Sequence, residues 1–576
     1  MKLSNWRDIV VRHPEDRVRE YRASGRWAGN TIGTELHRIA ATRPGALALA
    51  GPGRELSWAQ LDAETDRIAA GLHALGLRPG DAALLQLDNT VETVLTWYGL
   101  IKAAVVPVAT LRAHRGHEIR EIARITRARA HIVDGANSNF DLVDFARRLA
   151  DEPPGASESA GARRLVLSVG ARSATSVAGV SRIEDLGHDI TATDARAIVD
   201  RTQQEIDDED VAVFQLSGGT TGTPKVIPRL HGEYWYNAHA YAERQRWSPA
   251  TRVTHFGPLV HNAGIVCALH SVHAAGGAMV VAAADPSILL PAMAEFAVTD
   301  LILFPGLVPG LRSHPGFDAA FAAVRQVTFT IAPVTQELFD EFEGRGIRVL
   351  GLYGMGEGFC AVTSPDDPPA VRRSVGHAIS DADEIRIVEP GTDTPVPPGQ
   401  VGELCCRGPY TIRGYLDEPV RNLEAFSSDG FYHTGDLLQE RTIDGVRYLT
   451  YEGRTKELIS RGGEKIASSE VEGLVAELPG IRRVALVPVP DERLGERACI
   501  CIETADPALR LELADIQRFL ESRDVARFKW PEYVELLAEL PLTPVGKIDK
   551  KRLTAEVCAR IARNGHGSNE LTSAKP

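Results

Sequence analysis

Seven cysteines in 576 residues, at positions 267, 360, 405, 406, 499, 501 and 558, form neither a zinc-cluster spacing nor a small disulfide framework. No apolar stretch approaches the length of a membrane span; GAMVVAAA, residues 277–284, stops at Asp285. The opening MKLSNWRDIVVRHPEDR lacks the apolar centre of a secretory signal. These absences lead us to expect a cytoplasmic protein with reduced thiols and no membrane partner. Excess positive charge is missing too. A net charge of −13 argues against a general nucleic-acid surface. No Gly-Lys-Ser/Thr closes a glycine-rich loop, which excludes Walker-type phosphate binding.

What is present is a globular composition, 44% apolar and 24% charged, in a chain too long for one core. The most informative stretch runs from Leu216 to Asn237, LSGGTTGTPKVIPRLHGEYWYN. It follows the strand-length apolar run VAVFQL. Ser217, Gly218, Gly219, Thr220, Thr221 and Gly222 leave a backbone bare enough to wrap an anion. Their hydroxyls and Lys225 add further donors. A shorter run of this kind would be read as a plain connector.

The remainder alternates short strands and helices, the pattern of parallel sheets covered on both faces. The first 45 or so residues are mostly polar and helical, with Trp6 and Trp27 as anchors. Leu56-Ser57-Trp58 reads as a strand end and a capped helix, and Gly80-Asp81 as the turn before ALLQL. Two segments read as exposed: the acidic run Asp207-Asp208-Glu209-Asp210 and the loop carrying His114, Arg115 and His117. The Pro- and Ala-rich residues 151–164 read as a surface insertion, and residues 564–576 as a disordered tail. TDLILFPG and VRQVTFTIAPV read as buried parallel strands. Cys405 and Cys406, in VGELCCRG, should face opposite sides of a strand.

SGGTTGTPK resembles the phosphate loop of the adenylate-forming superfamily, and VIPRLHGEYWYN is similar to the free-standing aryl-acid–AMP ligases of that superfamily. The resemblance extends over about residues 5–555, with five motifs in the family's order. It implies an α/β multidomain fold. A large N-terminal domain, residues 1–455, would hold two α/β subdomains and a β-rich one; a small mobile α+β C-terminal domain, residues 456–563, would follow.

By the same resemblance VLGLYGMGEG brings Leu352, Tyr353, Gly354 and Met355 to the nucleotide and Glu357 to a magnesium ion. Gly356 stands where the family usually carries Thr or Ala. Asp436 of HTGDL would accept the ribose hydroxyls, Arg454 would contact ribose and phosphate, and Lys456 would be the hinge. Lys547, in PLTPVGKIDKKRL, would be the catalytic lysine of adenylation. His261 would border the acyl pocket and Asn262 would face the ortho substituent of an aromatic acid, with Cys267, Ala332 and Pro333 lining the pocket. The expected cofactors are ATP and Mg2+. The expected acceptor is a phosphopantetheine thiol on a separate carrier protein, with free CoA as the alternative. One departure bears on the pocket: AGIVCALH follows His261-Asn262 where aryl-acid ligases carry an aromatic residue and a proline-containing segment.

Overall fold

The apolar runs of the first two thirds of the chain lie in two mostly parallel sheets. The computed structural model describes all residues except 1–5, 138, 153–163, 171–177, 218–223, 331–333, 455–457, 505–508, 542–547 and 565–576. Its described residues fall into two compact units. The larger takes its residues from 1–112, 120–217 and 225–455; the smaller takes those beyond 455 together with Ala113–Ile119 and Pro224.

Among the described residues, one sheet of the larger unit has seven strands, in the order Val180–Arg182, Leu165–Val169, Ala130–Asp134, Ala82–Gln86, Val106–Val108, Val211–Ser217 and Lys225–Leu230. All neighbours run parallel except the last pair, whose register sets Ser217 opposite Lys225. The second sheet has nine strands. Its parallel centre includes Arg252–His255, Asp300–Leu303, Gln326–Phe329 and Arg348–Gly354. The helices Trp58–Ala74 and Val91–Lys102 contribute to a single apolar cluster that also contains Ala83 and Leu85 of the first sheet and Leu49 and Met279 of the second. Ser57 starts the first of these helices with a reciprocal capping box to Gln60.

A third, four-stranded antiparallel sheet carries Glu384–Val388, Val401–Arg407, Tyr432–Ile443 and Val446–Arg454. Cys405 and Cys406 do face opposite sides of it. Cys405 packs with Val388 and Phe431, while Cys406 joins Ile227, Tyr353 and Tyr415.

In the smaller unit Gly495–Thr504 is flanked by Ile481–Asp491 and, in parallel, by Tyr533–Leu537. Its last helix is Lys550–Asn564, and the rest of the tail expected from 564 lies outside the described residues. No helix among the described residues is long and apolar enough to cross a membrane.

Two expectations about exposure are corrected. The acidic run is not a solvated loop: Asp208 and Asp210 are buried. Arg7 grips Asp210 with Nε at 2.5 Å and Nη2 at 2.6 Å, Arg22 pairs with Asp208 and Glu209, and Arg12 with Glu209. The run is therefore the counter-charge for an arginine-bearing N-terminal strap. Trp6 donates to the Gly80 carbonyl at 2.6 Å, and Trp27, 1% exposed, donates to the Pro409 carbonyl at 2.9 Å. The second correction concerns the His-Arg loop. His117 is exposed, but His114 and Glu118 are buried in the smaller unit, where Lys529 donates to Glu118 at 3.1 Å and to Glu470 at 2.9 Å. Burial pushes the His114 imidazole down to about 4, which leaves it neutral at physiological pH.

Truncating Trp27 to Ala removes an indole and its hydrogen bond from a closed core, and should cost about 3–5 kcal/mol in equilibrium denaturation. A loss below about 1 kcal/mol would mean that the strap is not part of that core.

Candidate active site

Antiparallel pairing of Val211–Ser217 with Lys225–Leu230 makes the glycine-rich segment the connection of a β-hairpin. Gly218, Gly219, Thr220, Thr221 and Gly222 themselves lie outside the described residues, as do Ala332, Pro333, Lys456 and Lys547. The two flanks of the hairpin are informative. Ser217 Oγ is buried with no hydrogen-bond partner, an orphaned hydroxyl at the base of the segment. Lys225 lies 4.6 Å from the centre of the Tyr415 ring and donates to its hydroxyl at 3.3 Å.

The Tyr415 hydroxyl in turn donates to Glu357 Oε1 at 2.7 Å. It also lies 2.8 Å from the Tyr432 hydroxyl. Tyr415 has one proton to give; with that proton on Glu357, Tyr432 and Lys225 must donate to the Tyr415 oxygen. Burial and the Glu357 carboxylate push the Tyr415 phenol well above its ordinary value, so it remains a donor. The strand behind the glycine-rich segment and the carboxylate of VLGLYGMGEG are thus joined through one tyrosine.

Tyr353 closes a second connection. It is the penultimate residue of the strand Arg348–Gly354, and its hydroxyl donates to Asp436 Oδ2 at 2.9 Å. Burial and the Asp436 charge hold that phenol protonated. Asp436 stands opposite Arg454 in the register of the β-rich sheet. Leu352 and Tyr353 are buried, whereas the Gly354 backbone is exposed.

The glycines of this motif answer to their neighbours. Gly358 has φ +121°, and a Cβ there would lie 1.8 Å from the Tyr410 carbonyl oxygen, which no other residue tolerates. At Gly356 a Cβ would meet Ile227 Cδ1 at 2.8 Å. The side chain that follows Lys225-Val226 therefore occupies the space that a Thr or Ala would take.

The pocket residues divide. His261 is exposed and Cys267 is buried. Cys267 and Cys360 are both free, and the neighbouring Cys267 thiol together with burial pushes the Cys360 thiol well up. Asn262 is tethered at both ends of its amide: Tyr234 donates to Oδ1 at 3.1 Å and Nδ2 donates to the Met355 carbonyl at 3.2 Å. Gln215 holds the same tyrosine through a 3.0 Å bond. One N–H of Asn262 and one lone pair of its oxygen are left for a ligand. AGIVCALH forms a π-helix, Ala263–His270, instead of an α-helix, so the departure from the aryl-acid pattern coincides with a wider backbone turn beside the pocket residues.

Sequence reasoning missed Gln215, Arg229, Tyr234, Tyr415 and Tyr432. Tyr234 and Arg229 sit inside the quoted VIPRLHGEYWYN, and Tyr415 in YTIRGYL, but a tyrosine or arginine in such a block carries no local mark of its partner.

No three metal-ligating His, Cys, Asp or Glu side chains cluster among the described residues. Glu357, buried and already hydrogen-bonded, offers a single carboxylate. That donor set suits a magnesium ion that takes its other ligands from phosphate and water, so the residues fit one.

The model of the AMP-binding enzyme family matches residues 36–416, and that of the AMP-binding enzyme C-terminal domain matches residues 470–547. The chain belongs to the AMP-binding enzymes, a family of ligases and synthetases that in general use ATP and Mg2+. It is 36% identical to the salicylyl-CoA synthase / salicylate adenylyltransferase of a Streptomyces species, over 95% of this chain and 97% of that one. It is 34% identical to the salicyl-AMP ligase / salicyl-S-ArCP synthetase of Mycobacterium tuberculosis H37Rv, over 95% and 94%. Among solved structures, Mycobacterium smegmatis MbtA in its apo form superposes with a TM-score of 0.68 at 31% identity, covering 96% of this chain and 100% of that one. The two-part α/β architecture read from the sequence agrees with that likeness.

Tyr234→Phe should free Asn262 Oδ1 and cut the preference for ortho-hydroxylated over unsubstituted benzoate by about fivefold, one lost neutral hydrogen bond. The ratio of kcat/KM values for the two acids is the measurement. An unchanged ratio would remove Asn262 from ring recognition.

Proposed function

We propose that the protein activates an aromatic carboxylic acid, an ortho-hydroxylated benzoate such as salicylate, dihydroxybenzoate or hydroxyanthranilate, as its acyl-adenylate. It then passes the acyl group to the phosphopantetheine thiol of a separate carrier protein. The observation that carries this reading is the Lys225–Tyr415–Glu357 chain, which links the flank of a phosphate-binding segment to a metal-binding carboxylate. The names of the two relatives, one giving salicylate and the other salicyl-AMP, support the choice of acid.

In the first step a carboxylate oxygen of the acid attacks the α-phosphorus of ATP, and the bond to the β-phosphate oxygen breaks with its electron pair leaving on pyrophosphate. The difficulty is the approach of one anion to another. Residues 217–225 would cradle the phosphates with backbone N–H groups, the Ser217 hydroxyl and Lys225. Lys547 would bridge carboxylate and α-phosphate where charge develops. Magnesium, when bound at Glu357, supplies charge neutralisation on the phosphates. Tyr415 would hold Glu357 in one rotamer for that purpose, and Asp436 would accept the ribose hydroxyls. Asn262 would offer its remaining N–H to the ortho oxygen. In the second step the thiol sulfur attacks the acyl carbon, AMP leaves, and the thiol proton is released. No protein nucleophile takes part. Residues 1–455 would form the nucleotide domain and residues 456–563 a domain that reorients about Lys456 and withdraws Lys547 between steps.

A second reading, an aryl-CoA ligase, is favoured by the π-helical AGIVCALH segment and by the CoA in the Streptomyces relative's name. Thioester formation with CoA alone would select it.

Acid-dependent ATP–pyrophosphate exchange tests the proposal, with benzoate, salicylate, 2,3-dihydroxybenzoate, 3-hydroxyanthranilate, several amino acids and a medium-chain fatty acid compared. Exchange limited to ortho-substituted aromatic acids is the expected result; exchange with fatty or amino acids would overturn the assigned acid. Lys547→Ala should lower adenylate formation about 100-fold or more, on the scale of one lost charge stabiliser, and leave thioester formation from supplied adenylate within about threefold. Equal losses in both steps would remove the role given to Lys547.

A further inference from the structure

Arg229, Glu233 and His13 form a buried chain that the adenylation chemistry does not use. Arg229 is wholly buried, Glu233 is 1% exposed and His13 is 6% exposed. Arg229 Nε donates to Glu233 Oε1 at 2.9 Å, and the other carboxylate oxygen, Oε2, lies 3.0 Å from His13 Nε2. Glu233 Oε1 also accepts the Leu230 backbone N–H at 3.0 Å, which fixes the carboxylate at the start of the helix His231–Arg244. Burial opposes ionisation of Glu233, but the Arg229 charge and the His13 bond outweigh it and keep the carboxylate below its usual range.

The far end of the chain meets the candidate site. Arg229 Nη1 donates to the Gly356 carbonyl at 3.0 Å and Nη2 to the Tyr410 carbonyl at 2.9 Å. Those two carbonyls bracket Glu357: Gly356 precedes it, and the Glu357 carbonyl accepts from Ile412 N at 2.9 Å in the segment that carries Tyr410. Gly358, on the other side of Glu357, is pressed against Tyr410. The guanidinium is planar and holds its two carbonyls at a fixed spacing, which lysine could not do. Nothing local demands this arrangement. An arginine at the penultimate position of a strand, two residues before a helix begins, would ordinarily reach solvent.

We propose that His13, Glu233 and Arg229 are positioning residues through which the N-terminal strap sets the backbone on both sides of Glu357, and so its presentation to nucleotide-bound magnesium. Glu233 orients the guanidinium, the guanidinium holds the Gly356 and Tyr410 carbonyls, and His13 closes the carboxylate's remaining oxygen. The proposal rests on the ATP and magnesium reading above, and its test separates the two.

The test is calorimetric binding of a non-hydrolysable imidodiphosphate analogue of ATP, in 10 mM Mg2+ and in EDTA, with thermal melts on the same samples. Wild-type protein should bind the analogue more tightly with Mg2+. In Glu233→Gln that magnesium-dependent gain should fall at least fivefold, while affinity in EDTA changes less than twofold. His13→Gln, at the strap end, should lower the gain in the same sense, and decides the matter if Glu233→Gln does not fold. Variants that melt earlier yet keep the full magnesium gain have lost only structural support, and that result overturns the relay. No binding by the wild-type protein would overturn the nucleotide reading, and the relay with it.

Discussion

A guanidinium without solvent must find acceptors inside the protein for its N–H groups, and Arg229 finds them on separate pieces of the chain. It leaves the edge strand of the seven-stranded sheet and reaches the Gly356 carbonyl just beyond a strand of the nine-stranded one. It also reaches the Tyr410 carbonyl just beyond a strand of the β-rich sheet. Its charge is answered by Glu233. Such a group is expensive to bury and strongly destabilising to leave half-paired, so the elements that supply its acceptors are constrained together. The apolar cluster of Ile227, Tyr353, Phe359, Leu404 and Tyr415 fills the same junction. Tyr353, Glu357, Tyr415 and Asp436 are thus side chains of one packed corner, where separate sheets meet.

The N-terminal strap takes on meaning from that corner. Its arginines neutralise Asp207 to Asp210, immediately before the strand that leads into the glycine-rich segment, and its His13 ends the Arg229 chain. Ile32 N donates to His231 Nδ1 at 3.2 Å; burial holds that imidazole down at about 4, in the neutral form with a free lone pair. Strap, acidic run and the block VIPRLHGEYWYN are therefore parts of one support.

Much of the architecture was legible in the sequence because it rests on local chemistry. The capping box at Ser57, the positive-φ turn at Gly80 and the buried strands around Leu301 and Val327 follow from residue type and periodicity over a few positions. Exposure was read less well. Four consecutive acids look solvated, and the arginines that bury two of them lie about 190 to 200 residues away. AGIVCALH looked helical and is, but its π form, packed against the helix His231–Arg244, cannot be seen in an apolar octapeptide.

By itself the sequence determined the order of elements, the glycine- and hydroxyl-rich makeup of residues 217–225, and the presence of Tyr353, Glu357 and Asp436 in motifs whose resemblance implies a nucleotide site. Only tertiary structure decided that Tyr415 would bridge Lys225 and Glu357, that Tyr234 would restrain Asn262, and that the Ile227 side chain would crowd position 356. The reason is the range of the interactions. Helix caps, turns and strand alternation act over two to five residues, whereas the partner of a buried polar group is whichever donor or acceptor folding brings near. For Arg229 that means carbonyls 127 and 181 residues distant, and for Glu233 a histidine 220 residues distant.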